Sequence, residues 1–148
     1  MADEVRRADV AQELFDLWHA IRRVTLEQFA EDGLSLPRAK VLWTLQEFGP
    51  LRASALAERL ECAAATATEL VDGVVRDGLA ARAPDPSDRR AVLIDLTPAG
   101  VEVAKISRAH KLQILRHVFD GLSTEQVTQL KELLDLIATS PTLQGAPR

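Results

Sequence analysis

Arg89 and Arg90 close the run Pro84-Asp85-Pro86-Ser87-Asp88-Arg89-Arg90, where two prolines and two acids accompany the two guanidinium groups. Such a run predicts a polar hairpin tip. A guanidinium on a narrow tip suits the minor groove of duplex DNA, where negative potential is concentrated. Thr66 and Thr68 stand in the run Ala64-Ala65-Thr66-Ala67-Thr68-Glu69. Their hydroxyls can reach bases or phosphates and their methyls can meet a thymine methyl. Arg76 and Arg82 flank these two sets and suit phosphates, as does Ser54, whose hydroxyl and backbone N–H open a short helical piece. The competing use of the small residues is close packing between helices, and that of the tip arginines is a solvated turn.

Other chemistry-bearing residues are sparse. Trp18 and Arg22 lie four apart, on one face of a helix. His110 and His117 are seven apart, about two helical turns, but no nearby cysteine pair or acid completes a zinc set. Cys62 reads as a small packed hydrophobe. No dinucleotide or phosphate-binding glycine loop, no nucleophile elbow and no zinc-protease helix motif occurs, and no carboxylate pair stands out as acid and base. An enzyme is not expected, nor a metal or cofactor.

The chain has 148 residues, with 47% hydrophobic and 27% charged. That is one globular domain's worth, and it excludes a disordered chain or a disulfide scaffold. No run approaches the ~18 apolar residues of a membrane span. The charged start, Met1-Ala2-Asp3-Glu4-Val5-Arg6-Arg7, is not a secretory signal. One cysteine cannot form an internal disulfide, so a cytoplasmic protein with a reduced thiol and no membrane partner is expected. Net charge is −4. Residues 1–51 carry 6 positive and 9 negative groups, and residues 52–90 carry 6 and 7. Contact with DNA therefore requires positive groups concentrated locally.

The periodicity supplies the elements that must hold these groups. Val10, Leu14, Leu17, Trp18, Ile21 and Val24 predict a helix over about Asp9 to Phe29, ended by Glu31-Asp32-Gly33. Ser35 is a candidate N-cap and Pro37 sits in the first turn of a second helix, whose Ala39, Leu42, Trp43, Leu45 and Phe48 face inward until Gly49-Pro50. Two short helices follow, Ser54–Leu60 and Ala64–Asp77, then Gly78. Leu79–Ala83 and Ala91–Leu96 read as strands around the arginine-bearing tip. Thr97 and Pro98 start a helix to about Phe119. A capping box, Ser123 to Gln126, opens a last helix carrying Val127, Leu130, Leu134 and Ile137. From Ser140 the tail is expected to be loose. Two short helices before a small hairpin make a winged helix-turn-helix layout. The apolar stripes of the outer helices would need a second subunit to cover them.

The chain resembles the MarR family of bacterial transcription regulators. The stretches that carry the resemblance are Leu56-Ala57-Glu58-Arg59-Leu60, Leu70-Val71-Asp72, Asp77-Gly78-Leu79, Asp85-Pro86-Ser87-Asp88-Arg89-Arg90 and Leu96-Thr97-Pro98-Ala99-Gly100. The resemblance implies a mainly α homodimer. Residues 1–34 and 99–148 would supply the dimerisation helices and residues 35–98 a winged helix-turn-helix module. It implies that Arg89 touches DNA and that Arg90 pairs with Asp72 to fix the wing. Members usually carry Ser, Arg or other long donors where this chain has Ala64, Ala65, Glu69 and Gly73. Ala63 replaces the usual polar cap, and Arg52, itself suited to a phosphate, stands where Thr or Ser is usual. Weaker DNA binding than the family norm is therefore expected. Small ligands in such proteins often bind between the dimer helices and the winged module. Trp18, Arg22 and Trp43 would then suit a phenolic or aromatic carboxylate anion.

The function expected is a DNA-binding regulator, a repressor relieved by a small effector. Its partners would be double-stranded DNA and a second copy of itself. Two other classes stay open: a ligand-sensing or partner-binding protein that has lost DNA binding, and a helical enzyme or carrier on a borrowed scaffold.

Overall fold

The computed structural model describes residues 2–31 and 33–144, with the side chains of residues 2, 3, 31, 89, 143 and 144 outside the description. Its elements run α1 (Ala2–Glu31), α2 (Leu36–Phe48), α3 (Ala53–Arg59), α4 (Ala64–Arg76), β1 (Ala80–Asp85), β2 (Asp88–Leu96), α5 (Pro98–His117), α6 (Thr124–Ala138) and α7 (Pro141–Gln144). The chain divides into two compact units, residues 1–112 and 113–148, so the division falls within α5. None of the described helices is long and apolar enough to cross a membrane.

In the first unit the core is built on α2. Val41, Leu42, Trp43 and Leu45 are buried there, and Phe29 of α1, Leu56 of α3, Val71 and Val74 of α4, Ile94 of β2 and Ala104 of α5 are buried as well. Phe29 meets Trp43 edge to face with ring centroids 5.9 Å apart, a favoured geometry for an aromatic pair. The Trp43 indole N–H donates to Ser107 Oγ at 2.9 Å, which satisfies the one polar atom that this ring would otherwise bury unpaired. The two strands pair antiparallel. A bridge between Leu51 and Ile94, with N–H···O distances of 3.0 and 2.8 Å, ties the segment before α3 to the hairpin.

Gly100 lies against the chain entering β1. A Cβ there would fall 1.8 Å from the Leu79 carbonyl oxygen, so only glycine lets α5 start this close. Thr97 caps α5, donating its hydroxyl to Gly78 O at 2.7 Å and accepting from Gly100 N at 3.1 Å. These contacts give the Leu96-Thr97-Pro98-Ala99-Gly100 run its physical meaning: it docks α5 on the Gly78-Leu79 turn.

In the second unit α6 opens on Ser123 with both halves of the expected capping box, Gln126 N to Ser123 Oγ and Ser123 N to Gln126 Oε1. Val127, Leu133, Leu134, Leu136 and Ile137 of α6 are exposed.

Several boundaries differ from expectation. The first helix starts at Ala2 instead of Asp9, since Glu4, Arg6 and Arg7 are good helix formers. The strands run to Asp85 and from Asp88, which shortens the tip to Pro86-Ser87. Pro84 is tolerated because a two-stranded sheet has only edge strands. The segment after Ser140 holds a short helix through Gln144, and the last four residues lie outside the described ones.

Candidate nucleic-acid interface

Helices α3 and α4 form the helix-turn-helix. Ala67, Val71 and Val74 anchor α4 in the core. At 100° per residue the opposite face carries Ala65, Glu69 and Arg76, all exposed, with Thr68 and Asp72 along one flank and Thr66 and Gly73 along the other. The N-cap of α4 is Ala63, which makes no side-chain cap bond. Thr68 Oγ1 donates to the Ala64 carbonyl at 2.9 Å, so its proton is spent inside the helix.

The wing is held to this frame by two ion pairs. Arg82 of β1 pairs through Nη2 with Asp72 Oδ1 of α4. This corrects the expected Asp72–Arg90 pair. Arg82 lies on the strand facing α4, whereas Arg90 follows the turn on β2, where its side chain is exposed and its backbone N–H donates to Asp88 Oδ1 at 3.1 Å. The second pair joins the start of α3 to the wing tip. Arg52 donates from Nε and Nη2 to Asp85 Oδ2 at 3.1 and 2.6 Å, and Nη2 lies 3.5 Å from Asp88 Oδ2.

Asp85 is the most buried carboxylate of this set, at 7% exposure. It also accepts from Ser87 N at 2.9 Å and Ser87 Oγ at 2.6 Å. The Ser87 hydroxyl, then Arg52, hold its carboxyl down from 3.8 to about 2, overcoming the opposing effect of burial. The same hydrogen bond pushes the Arg52 guanidinium up from its ordinary value.

A third tie lies on the far flank of α4. Arg38 of α2 pairs with Asp77 at 2.8 Å. A Cβ on Gly73 would come within 2.8 Å of the Arg38 guanidinium, so the glycine makes room for that arm.

Of the residues expected to meet DNA, Thr68, Arg76 and Ser54 are exposed on or beside the helix-turn-helix, and Arg90 is exposed on the wing. The Arg89 side chain lies outside the described residues. Arg52 and Arg82 are engaged with carboxylates. Thr66 turns toward a cavity of about 190 Å³ between α1, α2 and α4, whose lining includes Arg22, Lys40, Leu60, Cys62 and Leu70. Neither Trp18 nor Trp43 lines that cavity. Trp18 is 55% exposed beside Phe15 and His19. Trp43 is 7% exposed and committed to Phe29 and Ser107, so the three residues expected to form one ligand cleft are not brought together.

The sequence reading missed the positioning roles of Asp85 and Arg38. An Asp-Pro-Ser turn is a signal for a carboxylate that caps its own backbone. A glycine inside the helix (Gly73) is a signal that something lies close to it.

Comparison with known proteins agrees with this geometry. The sequence profile of the MarR family matches residues 34–92. The uncharacterized HTH-type transcriptional regulator YkoM of Bacillus subtilis (strain 168) is 31% identical over 134 residues, spanning 89% of this chain and 86% of its own length. The HTH-type transcriptional repressor IacR of Pseudomonas putida is 26% identical over 137 residues, spanning 92% and 82%. The crystal structure of the YusO protein from Bacillus subtilis superposes with a TM-score of 0.79 at 26% identity and covers 99% of both chains. On its sequence and on its winged helix-turn-helix, the chain belongs to the MarR family of transcription regulators.

Proposed function

We propose that the chain works as a homodimer that represses transcription by gripping operator DNA and lets go when a small organic anion binds. Two α4 helices would enter successive major grooves, about 34–36 Å apart. Each wing would lay Arg89 and Arg90 over a minor groove. Arg76 and Ser54 would meet phosphates, Thr68 would meet base edges, and Thr66 base edges or phosphates from its flank. The observation that carries this reading is the pair of ion bridges, Arg82 to Asp72 and Arg52 to Asp85, which holds wing and helix-turn-helix as one pre-set surface. Arg52 and Arg82 then act on DNA mainly through that positioning.

Dimerisation is supported by what α1 and α6 leave uncovered. Val10, Leu14, Leu17 and Trp18 on α1 are exposed, as are Val127, Leu134 and Ile137 on α6. Apolar stripes of this kind favour a protein partner over water. The effector reading is supported by Arg22 and Lys40, which bring two cations and, among the described residues, no carboxylate to an otherwise largely apolar cavity beside Thr66 and Leu70 of α4. Repression takes support from similarity to a transcriptional repressor. A second reading, a ligand or partner binder that no longer grips DNA, is favoured by the lack of long donors at Ala64, Ala65, Glu69 and Gly73.

Sedimentation and fluorescence anisotropy on a duplex from the chain's own upstream region test both readings. A dimer that binds at about 50 mM salt and weakens by orders of magnitude toward about 200 mM supports the first. A monomer, or no binding at the lower salt, supports the second.

A further inference from the structure

The outward face of α4 has an unusual chemistry for a helix meant to read DNA, since it presents a carboxylate and methyl groups at its N-terminal end. From it we infer that Glu69 selects a cytosine and that Ala65 and Thr68 select neighbouring thymines. This rests on the DNA-binding reading above.

In helix-turn-helix docking the N-terminal part of the second helix touches base edges. On α4 that part exposes Ala64, Ala65, Thr66, Thr68 and Glu69; Ala65 and Glu69 stand opposite the buried Ala67 and Val71, with Thr68 on one flank and Thr66 on the flank that borders the cavity. Asp72, the other acid on the outer side, is engaged by Arg82. Among the described residues no ion pair takes up Glu69.

An ionised carboxylate accepts hydrogen bonds and donates none. In the major groove guanine shows two acceptors, thymine an acceptor and a methyl, adenine an acceptor beside a donor, and cytosine a donor with no acceptor next to it. Glu69 therefore finds a partner on the cytosine N4 amino group. Facing guanine or thymine it is desolvated against another acceptor, which is a penalty and a source of rejection. Thr68 has spent its hydroxyl proton on Ala64 O, so what it adds to a base edge is a methyl and an accepting oxygen. Ala65 adds a methyl alone. Such groups pack on the C5-methyl of thymine. The face thus discriminates by acceptance and apolar contact, and the nearby phosphates make Glu69 lower the affinity for every sequence while sharpening the choice.

The test is selection from random duplexes with the full-length protein, its Glu69→Gln variant and its Glu69→Ala variant. The expected wild-type half-site holds a cytosine next to thymine, and changing that cytosine weakens binding about tenfold or more. Replacing the adjacent thymine by deoxyuridine removes one methyl and weakens binding about fourfold. Glu69→Gln keeps binding and moves the preference at that position to adenine, because an amide matches adenine's donor and acceptor together. Glu69→Ala binds all duplexes more tightly with no preference there. The inference is overturned by a wild-type consensus that selects no G·C pair under the N-terminal part of α4. It is equally overturned by a Glu69→Gln consensus identical to the wild type's, or by a Glu69→Ala variant whose affinity rises with its base preference intact. If the wild type enriches no sequence and binds no duplex at low salt, the DNA-binding reading itself falls and takes this one with it.

Discussion

Arg52 Nη2 donates to Asp85 Oδ2 across 2.6 Å, joining the residue that precedes α3 to the last residue of β1. The arginine lies where a phosphate contact was expected, yet the structure engages it within the protein. Its consequence is mechanical: the wing tip cannot swing without breaking that pair or moving α3.

The pair gives the wing a pH dependence with a definite sign. Asp85 holds its proton less tightly folded, at about 2, than its ordinary 3.8. Its stabilising contribution is therefore complete above the ordinary carboxylate range and drains away as pH falls from 3.8 toward about 2. Urea midpoints of wild type and Asp85→Asn should differ at pH 7 and converge near pH 2. A gap that stays constant across that window would remove Asp85 from the latch.

Asp72 should couple to Arg82 and not to Arg90. The two partners are roughly half exposed, so the coupling expected from a double-mutant cycle is modest, up to about 1 kcal/mol. Asp72→Ala with Arg90→Ala should be additive within about 0.3–0.5 kcal/mol. Coupling of Asp72 to Arg90 of equal size would restore the pairing that the resemblance implied.

Much of the architecture was legible because it rests on local signals. The helix periods, Gly78 behind α4, Thr97 and Pro98 ahead of α5, and the box at Ser123 each specify their element within a few residues of chain. What was not legible was decided between distant elements. Whether Arg82 or Arg90 reaches Asp72 depends on how β1 lies on α4. Whether Trp43 lines a cleft or fills a core depends on Phe29 and Ser107 arriving from other helices. Helix spacing put Trp18 and Arg22 on a common face, but no spacing rule could place Trp43 with them, and the folded chain does not.

Gly100→Ala should cost at least about 1–3 kcal/mol, the range for forcing atoms into a filled space. The added Cβ would meet backbone, the Leu79 carbonyl, and not a side chain able to step aside. Gly121→Ala meets nothing within 4 Å and serves as the control, with a change within about 0.5 kcal/mol. Chemical denaturation of the two variants measures both. Equal stability would mean that α5 can slide away from the Gly78-Leu79 turn without loss.

The salt dependence of DNA binding should separate the arginines that face phosphates from those that position the wing. Each contact that neutralises a phosphate contributes about 0.9 to the slope of log affinity against log salt. Arg89→Ala and Arg90→Ala should each flatten the slope by about that amount and leave the urea midpoint unchanged. Arg52→Ala and Arg82→Ala should instead lower the midpoint, since they release Asp85 and Asp72, and should change the slope less. Anisotropy titrations at four or five salt concentrations resolve the two patterns. A slope untouched by removing both Arg89 and Arg90 would take the tip off the DNA and leave the wing a structural strut.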